Sequence, residues 1–412
     1  MSGADPATTR PVRRPAPSPA ASDHVRLLNT ALVLRTLRDL GPTSRADLAK
    51  STGLAKATVG TIIANLRAVG AVQEQAATAA PRGRPGRPMA LDGAHLVGLG
   101  IEVNVDYMAA VALDLSGRTV LVEERPSRTV DDNTDLAAVR GFVSDCHTTL
   151  SGAGHRVLGL TVAVPGLVER EAGRVRSAPN LGWTDLDLTA ELSRTVDPRC
   201  RIRVDNDANC AALAEVSRGV AAGMSHVLYL TGTVGLGGGI VVDGQIMRGG
   251  NGYAGEVGHM LVGRSDVRCA CGRSGCWEAL VGLRAMLDAV GLSGKRAEGA
   301  DPVDVAEQVA ALAQRDPTIG AGLGRVAEHL AAGCSILANA LNPQMIVLGG
   351  YFEPLGPWLL PTIVRVLDRD VFAEGSCTIA LSTLGVHAAS TGAATEILDD
   401  IYAARRQLIA IG

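Results

Sequence analysis

Between Val25 and Leu40 the apolar positions Leu28, Ala31, Leu32, Leu34 and Leu37 recur at helical spacing, and Gly41-Pro42 stops them, which predicts a first helix. Ser44 opens a second, with Asp47 three residues on where a capping box usually has Glu. Its short apolar face is Ala46, Leu48 and Ala49, and it ends at Gly53. A third helix, predicted over 56–69, buries Val59, Ile62, Ile63 and Leu66 on one stripe and turns Lys56, Ala57, Gly60, Thr61 and Asn65 outward. Two short helices joined by a glycine-containing turn, the second amphipathic and polar at its start, make a helix-turn-helix whose outer face fits the DNA major groove. Val72-Gln73 and Met89-Ala90-Leu91 pair as the strands of a wing, with Gly83-Arg84-Pro85-Gly86-Arg87-Pro88 between them. Such a tip sets arginines where phosphates or a minor groove can be reached. Lys56, Thr58, Thr61, Arg84 and Arg87 are the expected DNA contacts of a winged domain over residues 23–91. The competing reading is a small helical bundle for protein contacts, with the Gly-Arg-Pro run as linker. Ala55 as a cap and Gly60 inside the helix depart from the motif's strongest form.

From Leu96 onward the pattern changes to short apolar runs, at 97–103, 108–113, 157–164 and 226–230, broken by glycines and alternating with helical stretches. That is α/β texture with layered sheets. Helices are predicted over 326–341 and 391–408, and a buried strand over 345–348 that ends at Gly349-Gly350.

Composition sharpens this picture. Residues 1–22 hold five prolines and almost no large apolar side chain, so a disordered tail is expected there. The net charge of −3 over 412 residues hides a split, +8 over residues 1–88 and −11 over the rest. A basic head on an acidic body fits a protein whose head alone meets a polyanion, although a basic solubilising tail would give the same sums. Only 3% of residues are aromatic, which disfavours recognition of single strands by stacking. No apolar run approaches the roughly 20 residues that span a bilayer, and no hydrophobic signal core opens the chain, so a cytoplasmic protein without membrane partners is expected.

Three of the eight cysteines crowd between 269 and 276, which is not a secreted disulfide pattern. With His259, the thiols of Cys269, Cys271 and Cys276 supply one imidazole and three thiolates, a complete tetrahedral set for zinc with no position left for water. The metal is therefore expected to be structural. A glycine-rich turn, Thr231 to Gly239, lies between two apolar runs and either cradles phosphate on its amides or closes a hairpin. Val204-Asp205-Asn206-Asp207-Ala208-Asn209 ends a strand and opens a helix; either its carboxylates and amides bind sugar hydroxyls, or Asp205 or Asp207 caps that helix.

Taken together these motifs resemble the ROK family of repressors, open reading frames and kinases. The resemblance runs from the helix-turn-helix onward and is carried most specifically by Gly255-Glu256-Val257-Gly258-His259, the cysteine cluster and Glu278. It implies an actin-like, hexokinase-like domain of two α/β lobes over residues 95–412, with a sugar in the cleft held by Asn180, Asn206, Asp207, Glu256, His259 and Glu278. His259 would then serve both zinc and sugar. Family kinases carry an Asp-x-Gly-Gly-Thr phosphate turn after the first strand of the fold. Here that stretch reads Glu102-Val103-Asn104-Val105-Asp106, so side chains stand where bare backbone must approach phosphate. The expectation is a sugar-responsive transcriptional regulator, a repressor and not an enzyme, whose sugar changes the spacing of two DNA-binding heads in a homo-oligomer on an operator. The alternatives are a sugar kinase using Asp207 as base, and a regulator whose effector is a protein.

Overall fold

A computed structural model describes residues 19–76, 87–127, 129–130, 133–262, 266–293, 301–373, 375–405 and 408. The chain divides into two compact units, residues 1–91 with 400–412, and residues 92–399. The second unit therefore stops short of the 412 expected for the sugar domain, because the chain from Asp400 groups with the first.

In the first unit, α1 (Pro19–Leu40), α2 (Arg45–Thr52) and α3 (Lys56–Ala68) precede a two-stranded sheet of β1 (Val72–Glu74) and β2 (Met89–Leu91). α1 begins six residues before Val25 and overlaps the stretch expected as tail. Pro19 is pre-set for a first helical turn and Ala20-Ala21 propagate it; residues 1–18 lie outside the described residues. Ser44 caps α2 by accepting from the Asp47 amide at 3.2 Å, while its hydroxyl donates to the Asp47 carboxylate at 2.6 Å. Gly53 ends α2 with φ +70°, a conformation that glycine adopts without a Cβ penalty. Val59, Ile62, Ile63 and Leu66 are buried, as their periodicity predicts, with Leu34, Leu37, Leu48 and Met89. Gly83, Arg84 and Gly86 lie outside the described residues.

The second unit contains two five-stranded sheets with one topology. The first uses β3 (Leu96–Val103), β4 (Tyr107–Asp114), β5 (Thr119–Pro126), then, beyond the short pair β6 (Thr129–Val130) and β7 (Asn133–Thr134) and the helix α4 (Leu136–Gly152), β8 (Arg156–Val164). A small sheet of β9 (Leu167–Glu169), β10 (Arg174–Ala178) and β11 (Trp183–Leu186) and the helix α5 (Leu188–Leu192) lead to β12 (Arg201–Asn206), which completes the order β12-β8-β3-β4-β5. Following α6 (Asp207–Arg218), the second sheet runs β15-β14-β13-β16-β17, from β13 (Val227–Gly232), β14 (Leu236–Val242), β15 (Gln245–Ile246), β16 (Met345–Gly350) and β17 (Thr378–Leu381). Its helices are α7 (Glu278–Val281), α8 (Leu283–Ala289), α9 (Pro302–Ala313), α10 (Pro317–Leu341) and α11 (Phe352–Asp370), and α12 (Ala388–Tyr402) returns to the first sheet. In each sheet the first strand pairs antiparallel with the second and parallel with the fourth. The unit is thus two lobes of one plan, each with its own apolar core, as the sequence leads one to expect.

α12 packs unusually close to β3. A Cβ on Gly100 would overlap the Ser390 carbonyl and the Ala394 amide, one on Gly98 would sit 2.8 Å from the Ala394 carbonyl, and one on Gly392 would strike the Cys210 carbonyl on α6. Residues 388–398 of α12 are all buried. The helix stops at Tyr402 and not at 408 as its apolar spacing predicts.

Gly100→Ala should therefore destabilise the protein by about 1–3 kcal/mol or more through overpacking. Gly141→Ala is the contrast: Gly141 sits exposed within α4, a Cβ there meets nothing within 4 Å, and the change should stabilise by about 0.5–1 kcal/mol through helix propensity. Denaturant unfolding of both variants measures the opposite signs.

Candidate functional site

The turn between β3 and β4 is closed by its own side chains. Asn104 donates through Nδ2 to Glu102 Oε1 at 3.1 Å and contacts the Tyr107 hydroxyl at 3.4 Å, and that hydroxyl donates to the same Glu102 oxygen at 2.9 Å. Asn104 Oδ1 also accepts from the Val105 amide at 2.7 Å, so an amide that a phosphate would need is already engaged. Burial pushes the Glu102 carboxyl up to about 8, with Asp207 adding to it. Burial likewise pushes Asp207 up to about 6, against a hydrogen bond from the Ala208 amide and with help from Glu256. A cavity of about 50 Å³ remains between Glu102, Asn104, Tyr107, Asp207, Thr231 and Asp301. One water needs about 10–15 Å³ on this measure, so the space between these side chains holds a few waters.

The glycine-rich turn of the second lobe closes the β13–β14 hairpin, with Thr231 opposite Gly237 and Gly232 opposite Leu236. Its glycines serve packing. A Cβ on Gly232 would enter the Tyr351 ring, one on Gly239 would strike the Ala208 carbonyl, and one on Gly235 would meet the Glu278 carboxylate. That carboxylate accepts from the Leu236 amide at 3.2 Å.

Of the six residues expected to hold sugar, Asn206 and Asp207 stand where β12 passes into α6. Asn206 caps the helix through the Asn209 amide at 3.1 Å and donates to the Gly166 carbonyl at 3.2 Å. The helix cap is therefore Asn206, and not Asp205 or Asp207 as the cap alternative has it. Glu256 is exposed on the turn before His259, yet enough protein surrounds its carboxyl to raise its pKa, with Glu278 adding and His259 opposing. Asn180 is exposed in the single helical turn Pro179–Leu181 after β10.

His259, Cys269, Cys271 and Cys276 converge, with one ligand atom from each lying within 4.8 Å of the others. Cys271 and Cys276 sulfurs are 3.6 Å apart, and Cys269 Sγ is 3.9 Å from His259 Nδ1. Tetrahedral zinc with bonds of about 2.3 Å to sulfur requires sulfur–sulfur edges of about 3.8 Å, so the cluster has the dimensions to hold a metal. Nδ1 faces the thiols, which leaves Nε2 for another partner. Gly272 and Gly275 take φ +85° and +82°, and they turn the chain between the cysteines. The loop is anchored by the next residue: Trp277 is fully buried, donates to the His329 carbonyl at 2.9 Å and fills the space left by Gly333.

One cluster has no signal in the sequence. Arg170 donates to Asp205 at 3.2 Å and to Glu396, while Arg248 reaches Asp205 and lies 3.1 Å from Glu396. Both carboxylates are buried. Burial disfavours the Arg170 charge, but Glu396 and Asp205 outweigh it and the guanidinium stays ionised. Tyr107 carried no signal either, since the apolar run begins one residue later at Met108.

On the head, Lys56, Ala57, Thr61, Ala64 and Arg67 are exposed along α3, and Thr58, Gly60 and Asn65 are half-buried. Arg87 is exposed beside the wing, 3.7 Å from Glu74; Arg84 lies outside the described residues. Among the described residues no helix is long and apolar enough to cross a membrane.

Two lobes of one plan, with residues of both, Glu102 and Thr231 among them, lining one cavity, joined in one chain to a winged helical unit, define an actin-like protein with an added head. The chain belongs to the ROK family, whose profile matches residues 98–399. A xylose repressor of Caldicellulosiruptor bescii is 28% identical over 92% of this chain and 97% of its own. A glucokinase of Halalkalibacterium halodurans is 30% identical, covering 71% of this chain and 92% of its own length. The solved structure of a ROK family transcriptional regulator, homolog of the Escherichia coli Mlc protein, matches with TM-score 0.78 and 25% identity over 94% of this chain and 98% of that one.

The buried Glu102 carboxyl should make stability fall with rising pH. From its ordinary 4.5 up to about 8, the unfolded chain releases a proton that the folded chain keeps, so folding loses roughly 1.4 kcal/mol per pH unit in that window and levels off above it. Glu102→Gln removes the dependence. Its stability relative to wild type should rise between pH 5 and pH 8, which denaturant unfolding at the two pH values reads directly.

Proposed function

We propose that this protein is a sugar-responsive repressor: its head binds an operator, and a sugar in the cleft controls that binding. The observation that carries the reading is the union, in one chain, of a winged helix-turn-helix with a sugar-type cleft whose phosphate turn is filled by Glu102, Asn104 and Tyr107. The relatives support it, since the xylose repressor and the solved regulator extend over the head, whereas the glucokinase matches a shorter share of the chain. Asn180, Asn206, Asp207, Glu256, His259 and Glu278 would hold the sugar, their carboxylates and amides accepting its hydroxyls. Asp207 would bind and not act as base, because nothing delivers a phosphoryl group to it. Zinc at His259, Cys269, Cys271 and Cys276 would fix the loop on which His259 stands. Lys56, Thr58, Thr61, Arg84 and Arg87 would meet DNA, and a homo-oligomer would present two heads to a two-fold operator.

Three outcomes test this. Cys271→Ser should lose the metal and lower the melting temperature, read by metal analysis and calorimetry on one preparation; full-length protein that lacks zinc yet is unaltered in stability would refute the site. Operator affinity should fall steeply with salt, and Arg87→Ala should weaken binding to all sequences alike. A hexose and pentose panel should yield a ligand that shifts operator affinity without consuming ATP. Glu256→Gln should weaken that ligand by roughly tenfold to a hundredfold and leave DNA binding intact. Sugar-dependent ATP hydrolysis abolished by Asp207→Asn would instead establish a kinase.

A further inference from the structure

Base pairs are told apart in the major groove in two ways: by paired hydrogen bonds, from Arg or Lys to guanine and from Asn or Gln to adenine, or by apolar contact with the thymine methyl. The exposed side chains of α3 are poor in the first kind. Ahead of Arg67, three turns from its start, the exposed face offers Lys56, Ala57, Thr61 and Ala64, and Asn65 is half-buried. The Thr61 hydroxyl donates to the Ala57 carbonyl one turn back at 3.2 Å, so it has no proton to offer a base acceptor, and the side chain presents its methyl beside an oxygen that can only accept. Gly60 adds an independent sign. It is helical, and a Cβ there would meet nothing within 4 Å, so neither backbone conformation nor packing calls for glycine at a cost of about 1 kcal/mol against alanine. What glycine does there is bare the helix surface between Ala57 and Thr61, where a base edge can then come closer.

Resting on the repressor reading, we infer that α3 recognises its operator through thymine methyl groups, with Thr61 as the specificity-determining residue, Ala57 and Ala64 completing an apolar contact surface, and Lys56 supplying the polar contact at the helix start. The operator is first obtained by selection from a random duplex pool with the full-length protein. If no sequence is enriched, the DNA-binding reading fails and this inference with it. With an operator in hand, each thymine is replaced by deoxyuridine, which removes the methyl and leaves the hydrogen-bonding groups unchanged. Loss of one buried methyl should cost roughly fourfold in affinity, at a few positions of each half-site. Thr61→Ser should show the same loss on the natural operator and should no longer distinguish thymine from uracil at one of those positions. Gly60→Ala should weaken operator binding while raising thermal stability. Unchanged affinity for the uracil-substituted operator, with losses confined to guanine or adenine replacements, would overturn the inference and leave the repressor standing.

Discussion

The unit over residues 92–399 depends on a seam without side chains, where α12 crosses β3 and α6. Helix axes ordinarily stay about 8–10 Å from their neighbours because side chains hold them apart. Gly98, Gly100 and Gly392 remove that spacer, so backbone meets backbone. Two features of the site follow from this one approach. The chain leading into α12, with Gly385, Ala388 and Ala389, forms the wall of the small cavity beside Glu102. Two turns further on, Glu396 is delivered to Arg170 and Arg248. Neither the cavity nor the buried ion cluster keeps its shape if the helix is pushed away.

Within that frame the two ends of the cleft are built for different chemistry. Phosphoryl transfer needs amides, cations and metal aimed at the charge that develops on phosphate oxygens. Glu102, Asp207 and Asp301 line the corresponding space here, with Asn104 and Tyr107 turned toward Glu102 in place of a phosphate. Even a neutral Glu102 presents an acceptor oxygen where a donor is required. Holding a sugar, the task proposed for Glu256 and Glu278, asks for less, since carboxylates and amides at fixed positions suffice.

What was legible in the sequence was what is local in the chain. The helical stripes of the head, the Ser44 cap and the crowding of His259 with three cysteines all lie within a few residues or one loop, so spacing alone states their geometry. The Asn104 and Val105 side chains announced a lost phosphate turn, but the reason it is shut, the Tyr107 hydroxyl, was hidden because an aromatic residue opening a strand is unremarkable. Arg170, Arg248, Asp205 and Glu396 carry no motif, and their partners are up to 226 residues apart; only the fold brings them together. The early start of α1 reflects Pro19 acting as a helix opener in a stretch whose composition reads as tail, and α12 ends before its apolar spacing does.

The Glu102–Asn104–Tyr107 triangle also bears on how this lineage can change. Its three members satisfy one another in a buried place, so exchanging any one toward a bare glycine turn leaves the others with unmet hydrogen bonds, at about 1–3 kcal/mol each. A change toward phosphate binding at this turn therefore starts with a loss of stability, because the first exchange breaks the triangle before a pocket is formed. The triangle thus acts as a lock on the turn: residues elsewhere in the cleft can change without reopening it.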